Sequence, residues 1–394
     1  MVGLRLWLLM VTVLGSMPGL ASAAESDTAW PAITREAKPW TRWWWLGSGV
    51  DETNLARELA AIAAAGFGGV EITPIYGAKG AEDRFLEFLS PEYVAALGLT
   101  CAEAERLGLG VDMATGTGWP FGGPQVGPDD AELKIAGKDG AFAPQPTRFK
   151  VKRAAPGGAG FVVNPFSPAA CRRYLEPFTA ALKGLPRGAL HGQFHDSFEY
   201  QANWSAEVPG RFRELHGYDL LDHRDLLEGR GDPDAVARVK ADYRTTLASL
   251  HMEYLKEWID WCHEHGCEAR EQAHGAPANL IDLYAAADVP ETEVFGASRF
   301  AIPGFRRDDS EVSKNLPQPL VTRLASSAAH LAGRRRASSE TFTWMREHFR
   351  EAPSEMKPEI DQLFLAGINQ IFYHGTAYSP ADAAWPGWLF YAST

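Results

Sequence analysis

Residues 42–74, RWWWLGSGVDETNLARELAAIAAAGFGGVEITP, contain a complete strand–helix–strand unit. RWWWLGS reads as a strand because its bulky aromatic run is closed by Gly and Ser. Asp51 is an N-cap candidate, and apolar residues then recur at helical spacing from Glu52 to Ala65, where Gly66 stops the helix. FGGVEITP (67–74) is a second strand.

The same unit recurs along the chain. Ser90-Pro91 opens a helix that runs to Leu107, and LGVDMATG (109–116) is the third strand. After a Gly/Pro-rich stretch (117–165) and a helix from Pro168 to Lys183 come ALHGQFHD (189–196), CEAREQAH (267–274), DVPETEV (288–294), RRASSETF (335–342) and INQIFYHG (368–375), with helical patterns between them. Eight strands alternating with helices predict an α/β fold, a (β/α)8 TIM-like barrel with long insertions after strands 3 and 4. A doubly wound open sheet is the alternative, but no glycine-rich phosphate-binding fingerprint accompanies these strands.

Composition narrows the function. The chain has 394 residues and a formal net charge of −12, which disfavours a nucleic-acid partner. Residues 1–23 have the pattern of a signal peptide: Arg5, a short apolar run from Leu6 to Leu14, and Ala21-Ser22-Ala23 as a small-residue cleavage site. The expected product, 24–394, is exported to the periplasm or the extracellular space, with no membrane span after signal removal. Of four cysteines, Cys262 and Cys267 are close enough in sequence to pair; free buried thiols are the other reading.

In such a barrel, reacting groups gather at the C-terminal strand ends. Those ends carry Trp44, Glu71, Asp112, Asp196, Glu199, Gln272, His274, Glu293, Glu340 and His374, with Trp119 in the loop after the third strand. Any one of them alone can be structural. Together they supply paired carboxylates, the equipment for general acid/base hydrolysis of a glycosidic bond. Other chemistries are less well provided for. The first strand lacks the His-x-His of a metal-dependent amidohydrolase, although His191 and His195 share a strand face, and no G-x-S-x-G elbow occurs.

RWWWLGSGVD, GVDMATGTGWPFGGP, FHDSFEY, SSETFTW and MKPEIDQLFLAGINQIFYHGTAYSP together resemble glycoside hydrolase family 106, the α-L-rhamnosidases, over roughly residues 38–394. The resemblance implies a terminal α-L-rhamnosyl substrate in a glycoside or polysaccharide and an inverting mechanism. It also implies Glu199 as general acid, Glu340 as general base, and Asp196 as a neighbour that orients or tunes Glu199. Trp44, Glu71, Asp112, Trp119, Gln272, His274, Glu293 and His374 are then the expected substrate-binding residues. Calcium is implied in the sugar site, but no stretch has a calcium-loop pattern and its ligands are unassigned. Family members usually carry β-rich domains after the barrel, so this chain reads as the barrel without them. The competing readings are an inactive or sugar-binding barrel and a glycosidase of another specificity.

Overall fold

The computed structural model describes residues 30–136, 143–295, 319–343 and 352–390. The signal-peptide expectation lies outside these residues. Chain contacts divide between Ile33 and Thr34, and the fold is that of the unit beginning at Thr34.

Twelve strands occur in the described residues: β1 Trp40–Leu46, β2 Gly69–Ile75, β3 Gly110–Ala114, β4 Gly122–Gly123, β5 Leu133–Ala136, β6 Ala143–Pro146, β7 Phe161–Val162, β8 Gly192–His195, β9 Glu268–Glu271, β10 Val289–Phe295, β11 Ser338–Thr343 and β12 Gln370–Ala377. Eight of them close a barrel in the order β1-β12-β11-β10-β9-β8-β3-β2, and every pairing in it is parallel. The four short strands form two small antiparallel sheets in the insertion after β3. The expected (β/α)8 barrel is therefore the observed fold.

The helices are α1 Glu52–Ala64, α2 Pro91–Arg106, α3 Pro168–Leu182, α4 Val208–His216, α5 Arg224–Leu227, α6 Pro233–Glu264, α7 Leu280–Ala286, α8 Pro319–Leu331 and α9 Pro353–Leu365. Local chemistry sets their ends. Asp51 accepts a bond from Asn54 N–H at the start of α1, and Ser90 accepts one from Tyr93 N–H at the start of α2. Among the described residues, no helix is long and apolar enough to cross a membrane. The four cysteines are free and buried. The Cys267 thiol faces the Leu190 carbonyl at 3.6 Å, so the Cys262–Cys267 pairing is not formed.

Strand alternation divides the side chains between two cores. Trp43, Trp45, Val70, Ile72, Val111 and Met113 belong to the main apolar core with residues of the surrounding helices. Their strand neighbours Arg42, Glu71 and Asp112 stand side by side in register across β1, β2 and β3 and are buried. A second core, including Phe166, Trp204, Phe212, Leu220 and Leu250, ties the insertion after β8 to α6.

Trp40 fills the lower barrel. A Cβ on Gly110 would lie 2.2 Å from its ring, and one on Gly69 would lie 2.5 Å from it. Both strands are glycine there because the indole occupies the space of their side chains. Gly110→Ala should destabilise the protein by about 1–3 kcal/mol through overpacking. The check is the urea midpoint: wild-type stability would mean that Trp40 is not tightly held.

Candidate active site

The barrel interior is an ionic network. Arg42 on β1 donates to Glu71 on β2 at 2.8 Å and to Glu340 on β11 at 3.1 Å. Arg270 on β9 donates to Glu71 and, at 2.6 Å, to Glu291 on β10, and stands 3.5 Å from Asp112. Gln272 closes the circuit, donating to Glu340 at 2.7 Å and to Glu291 at 3.0 Å. The Arg270 guanidinium also lies between two rings, 4.3 Å from the Phe194 centroid and 3.6 Å from that of Phe372. Each buried charge thus has a partner, as enclosure requires.

Above this network is a small pocket. Arg42, Thr73, Trp119, Phe121, Asp196 and Tyr200 are among its lining residues. Trp119 is brought there by a tight loop whose backbone exchanges bonds with Lys152 at 3.2 and 2.8 Å. A Cβ on Gly118 would lie 1.8 Å from the Lys152 carbonyl oxygen, so only glycine permits this approach. Asp196 extends the inward alternation of Gly192 and Phe194 one step beyond β8. Its loop is held by Phe198 N–H on the His274 carbonyl at 3.2 Å and by Gln201 N–H on the buried Glu132 at 2.7 Å.

The carboxyl groups around the pocket differ in charge state. Glu340 is held below the usual carboxylate range: burial pushes the other way, but the Arg42 and His374 charges and the Gln272 bond outweigh it. Asp196 is pushed up to about 6 by burial, opposed by Arg42 and reinforced by the negative charge of Glu340. Glu293, paired in register with Glu340, is pushed up to about 7 by burial and by the Glu340 charge, against a bond with His274. One carboxyl is thus shifted down beside two that are shifted up.

The structure brings Asp196, Gln272, His274, Glu293, Glu340 and His374 into one electrostatic cluster, with Trp119 on the pocket wall. Three expected substrate-binding residues are placed differently. Glu71 and Asp112 sit within their strands, enclosed and paired with arginine or His191. Trp44 is fully buried, packed on Phe390 with centroids 4.1 Å apart, and offers no open face to a sugar. Glu199 is exposed and ion-paired with Lys152. His195 is engaged by Glu271 and, at 3.1 Å, by Tyr200, and His191 by Asp112 at 3.0 Å. Sequence reading missed Arg42 and Arg270. The available signal was an arginine inside each of two strands otherwise destined for burial, which demands a partner.

The calcium expectation does not fit these donors. Glu71, Glu291 and Glu340 are taken up by Arg42, Arg270 and Gln272. Among the described residues, no group of three or more His, Cys, Asp or Glu is arranged to hold a metal ion.

A parallel barrel that gathers carboxyls of opposed shift at its mouth is equipped for acid/base cleavage of a glycosidic bond. A family model described as alpha-L-rhamnosidase matches residues 32–139 and 142–393, and the chain belongs to that family, glycoside hydrolase family 106. The rhamnosidase from Novosphingobium sp. PP1Y superposes with a TM-score of 0.71 at 16% identity, covering 88% of this chain and 56% of that one. A β-galactosidase from the Antarctic haloarchaeon Halorubrum lacusprofundi superposes with a TM-score of 0.54 at 12% identity, over 86% and 52%. A Formosa agariphila protein provisionally named a beta-glucuronidase is 27% identical over 250 residues, 61% of this chain and 20% of that protein. The chain thus spans a fifth of that relative's length and just over half of the rhamnosidase's.

The charge states predict a pH signature in stability. Folded Asp196 keeps its proton up to about pH 6, whereas the unfolded chain releases it near the ordinary value of 3.8. Between those values the folded state binds more protons, so its stability falls as pH rises. Asp196→Asn escapes this loss. It should be more stable than wild type by about 1–3 kcal/mol at pH 8, with the gain gone below pH 4. Urea midpoints at the two pH values check this, and an equal gain at both would refute the assignment.

Proposed function

We propose that the protein hydrolyses terminal α-L-rhamnosides with inversion. The family it belongs to supports the sugar class. The observation that carries the mechanism is Arg42, which donates to Glu340 at 3.1 Å and lines one pocket with Asp196. Glu340 is held below the usual carboxylate range, and Asp196 is pushed up to about 6 by burial. Asp196 gives its proton to the glycosidic oxygen as the bond to the anomeric carbon breaks. Glu340 takes a proton from the water that attacks that carbon from the opposite face. Glu199, expected from the sequence to be the acid, is exposed and engaged by Lys152. Its place three residues after Asp196 suits a contact with the leaving group. The pattern of residues 1–23 further supports an exported enzyme acting on extracellular or periplasmic rhamnosides.

A panel of aryl glycosides tests the sugar. The α-L-rhamnoside should be turned over in preference to the β-glucuronide and β-galactoside, the sugars in the names of the relatives above. Preference for either of those would replace the specificity, and no turnover by well-folded protein would favour a sugar-binding barrel. The first-formed product should be the β-anomer by proton NMR; the α-anomer would indicate retention.

Three variants assign the roles. Glu340→Gln should abolish turnover. Asp196→Asn should slow poor leaving groups far more than activated ones, since only poor ones need the proton. Glu199→Gln should slow both about equally; the reverse pattern would return the acid role to Glu199. Because Asp196 must be protonated and Glu340 ionised, kcat/KM should be bell-shaped. Its descending limb should lie near pH 6, where Asp196 titrates.

A further inference from the structure

One side chain that is not a carboxylate joins both halves of the site. Arg42 lines the pocket with Asp196 and donates to Glu340 Oε1 at 3.1 Å, and its other anchor is Glu71 at 2.8 Å. Glu71 is bound in turn by Arg270, and Arg270 also holds Glu291 at 2.6 Å. Gln272 links Glu291 back to Glu340 Oε2. Glu340–Arg42–Glu71–Arg270–Glu291–Gln272 is therefore a closed ring of six side chains drawn from five strands. Phe194 packs against both of its cations, 4.7 Å from Arg42 and 4.3 Å from Arg270.

We infer that Arg42 is a positioning residue: anchored from below by Glu71 and Arg270, it fixes the Glu340 carboxylate in place and in its charged form beside the pocket. This rests on Glu340 being the base of the reaction proposed above. Glu71 thereby acquires a role as the anchor of Arg42, in place of substrate contact.

The groups facing Glu340 make the sign clear. Arg42 and Arg270 favour its charged form, as does protonated His374, 3.6 Å away on β12. Gln272, just past the end of β9, donates to it, and so does Thr343, at 3.3 Å. Asp196, Glu293 and the His274 beside Glu293 are electrostatically linked to it from the loop after β8, from β10 and from beyond β9. Glu71 and Glu291 complete the ring from β2 and β10. Arg42 is the fixed positive charge bonded directly to Glu340. Removing that charge costs the carboxylate its main support, whereas removing Glu71 removes a competing negative charge and loosens Arg42 without discharging it.

The test uses the full chain, with circular dichroism and urea midpoints to confirm folding. Arg42→Met should raise the acid limb of kcat/KM by about one pH unit or more and lower kcat by about tenfold or more, with KM little changed. Arg42→Lys should restore the acid limb but not the full kcat, because an ammonium supplies charge without the two-pronged geometry. Glu71→Gln should lower kcat while leaving the acid limb in place or lower. An unmoved acid limb in Arg42→Met, or the same upward shift in Glu71→Gln, would overturn the inference. If Arg42→Met does not fold, the Arg42→Lys and Glu71→Gln pair still decides it.

A second readout needs no turnover. The pH-dependent infrared carboxylate signal lost in Glu340→Gln reports the titration of Glu340 itself. That titration should move upward in Arg42→Met whether or not the chain cleaves any glycoside. An inactive wild type would remove the proposed reaction, whereas an unshifted infrared titration would remove the role of Arg42.

Discussion

The barrel depends on two buried guanidinium groups. Arg42 and Arg270 cannot shed their charge at any physiological pH, so the strands around them must supply carboxylates. Glu71, Asp112, Glu291 and Glu340 meet that demand from β2, β3, β10 and β11. A buried ion pair is weak evidence of stability, because desolvation offsets much of the Coulomb attraction. Its consequence here is geometric. Each arginine is bonded to at least two strands, so a shift in barrel register would strand a charge in the interior.

The aromatic side chains make this polar interior possible. Trp40 plugs the lower barrel over Gly69 and Gly110, closing it to water from that end. Phe194 and Phe372 cover the faces of Arg270, leaving its edges for the carboxylates. The guanidinium is thus divided between π-faces and hydrogen bonds, an arrangement that a lysine could not reproduce. Trp44 belongs to the same construction: its ring lies 5.1 Å from His374 and 4.1 Å from Phe390, forming the wall behind Glu340.

Much of this fold was legible because its signals are local. Asp51, Ser90 and Gly66 mark helix ends through contacts within a few residues, and each strand carries its own apolar stretch. The difference between Glu71 and Glu340 was not legible. Both are acids in short buried strands. Their environments are set by partners far away in sequence: Arg270 lies 199 positions from Glu71, and Arg42 lies 298 from Glu340. Only barrel closure brings these together. The Asp196–Glu199 distinction was closer to reach. Gly192, Phe194 and Asp196 share one face of a period-two strand, and extending that alternation one residue past β8 places Asp196 at the pocket.

The interior and the mouth divide the electrostatic work. Deep in the barrel, the acids Glu71 and Asp112 face permanent or histidine cations. At the mouth, burial raises Asp196 and Glu293, and the negative Glu340 beside them adds to both shifts. Burial is the main cause of both shifts, opposed by Arg42 at Asp196 and by His274 at Glu293. The ring below commits its two arginines to hydrogen bonds with Glu71, Glu291 and Glu340. In the reaction proposed above, the raised Asp196 carboxyl is the one that keeps a proton for glycosidic cleavage.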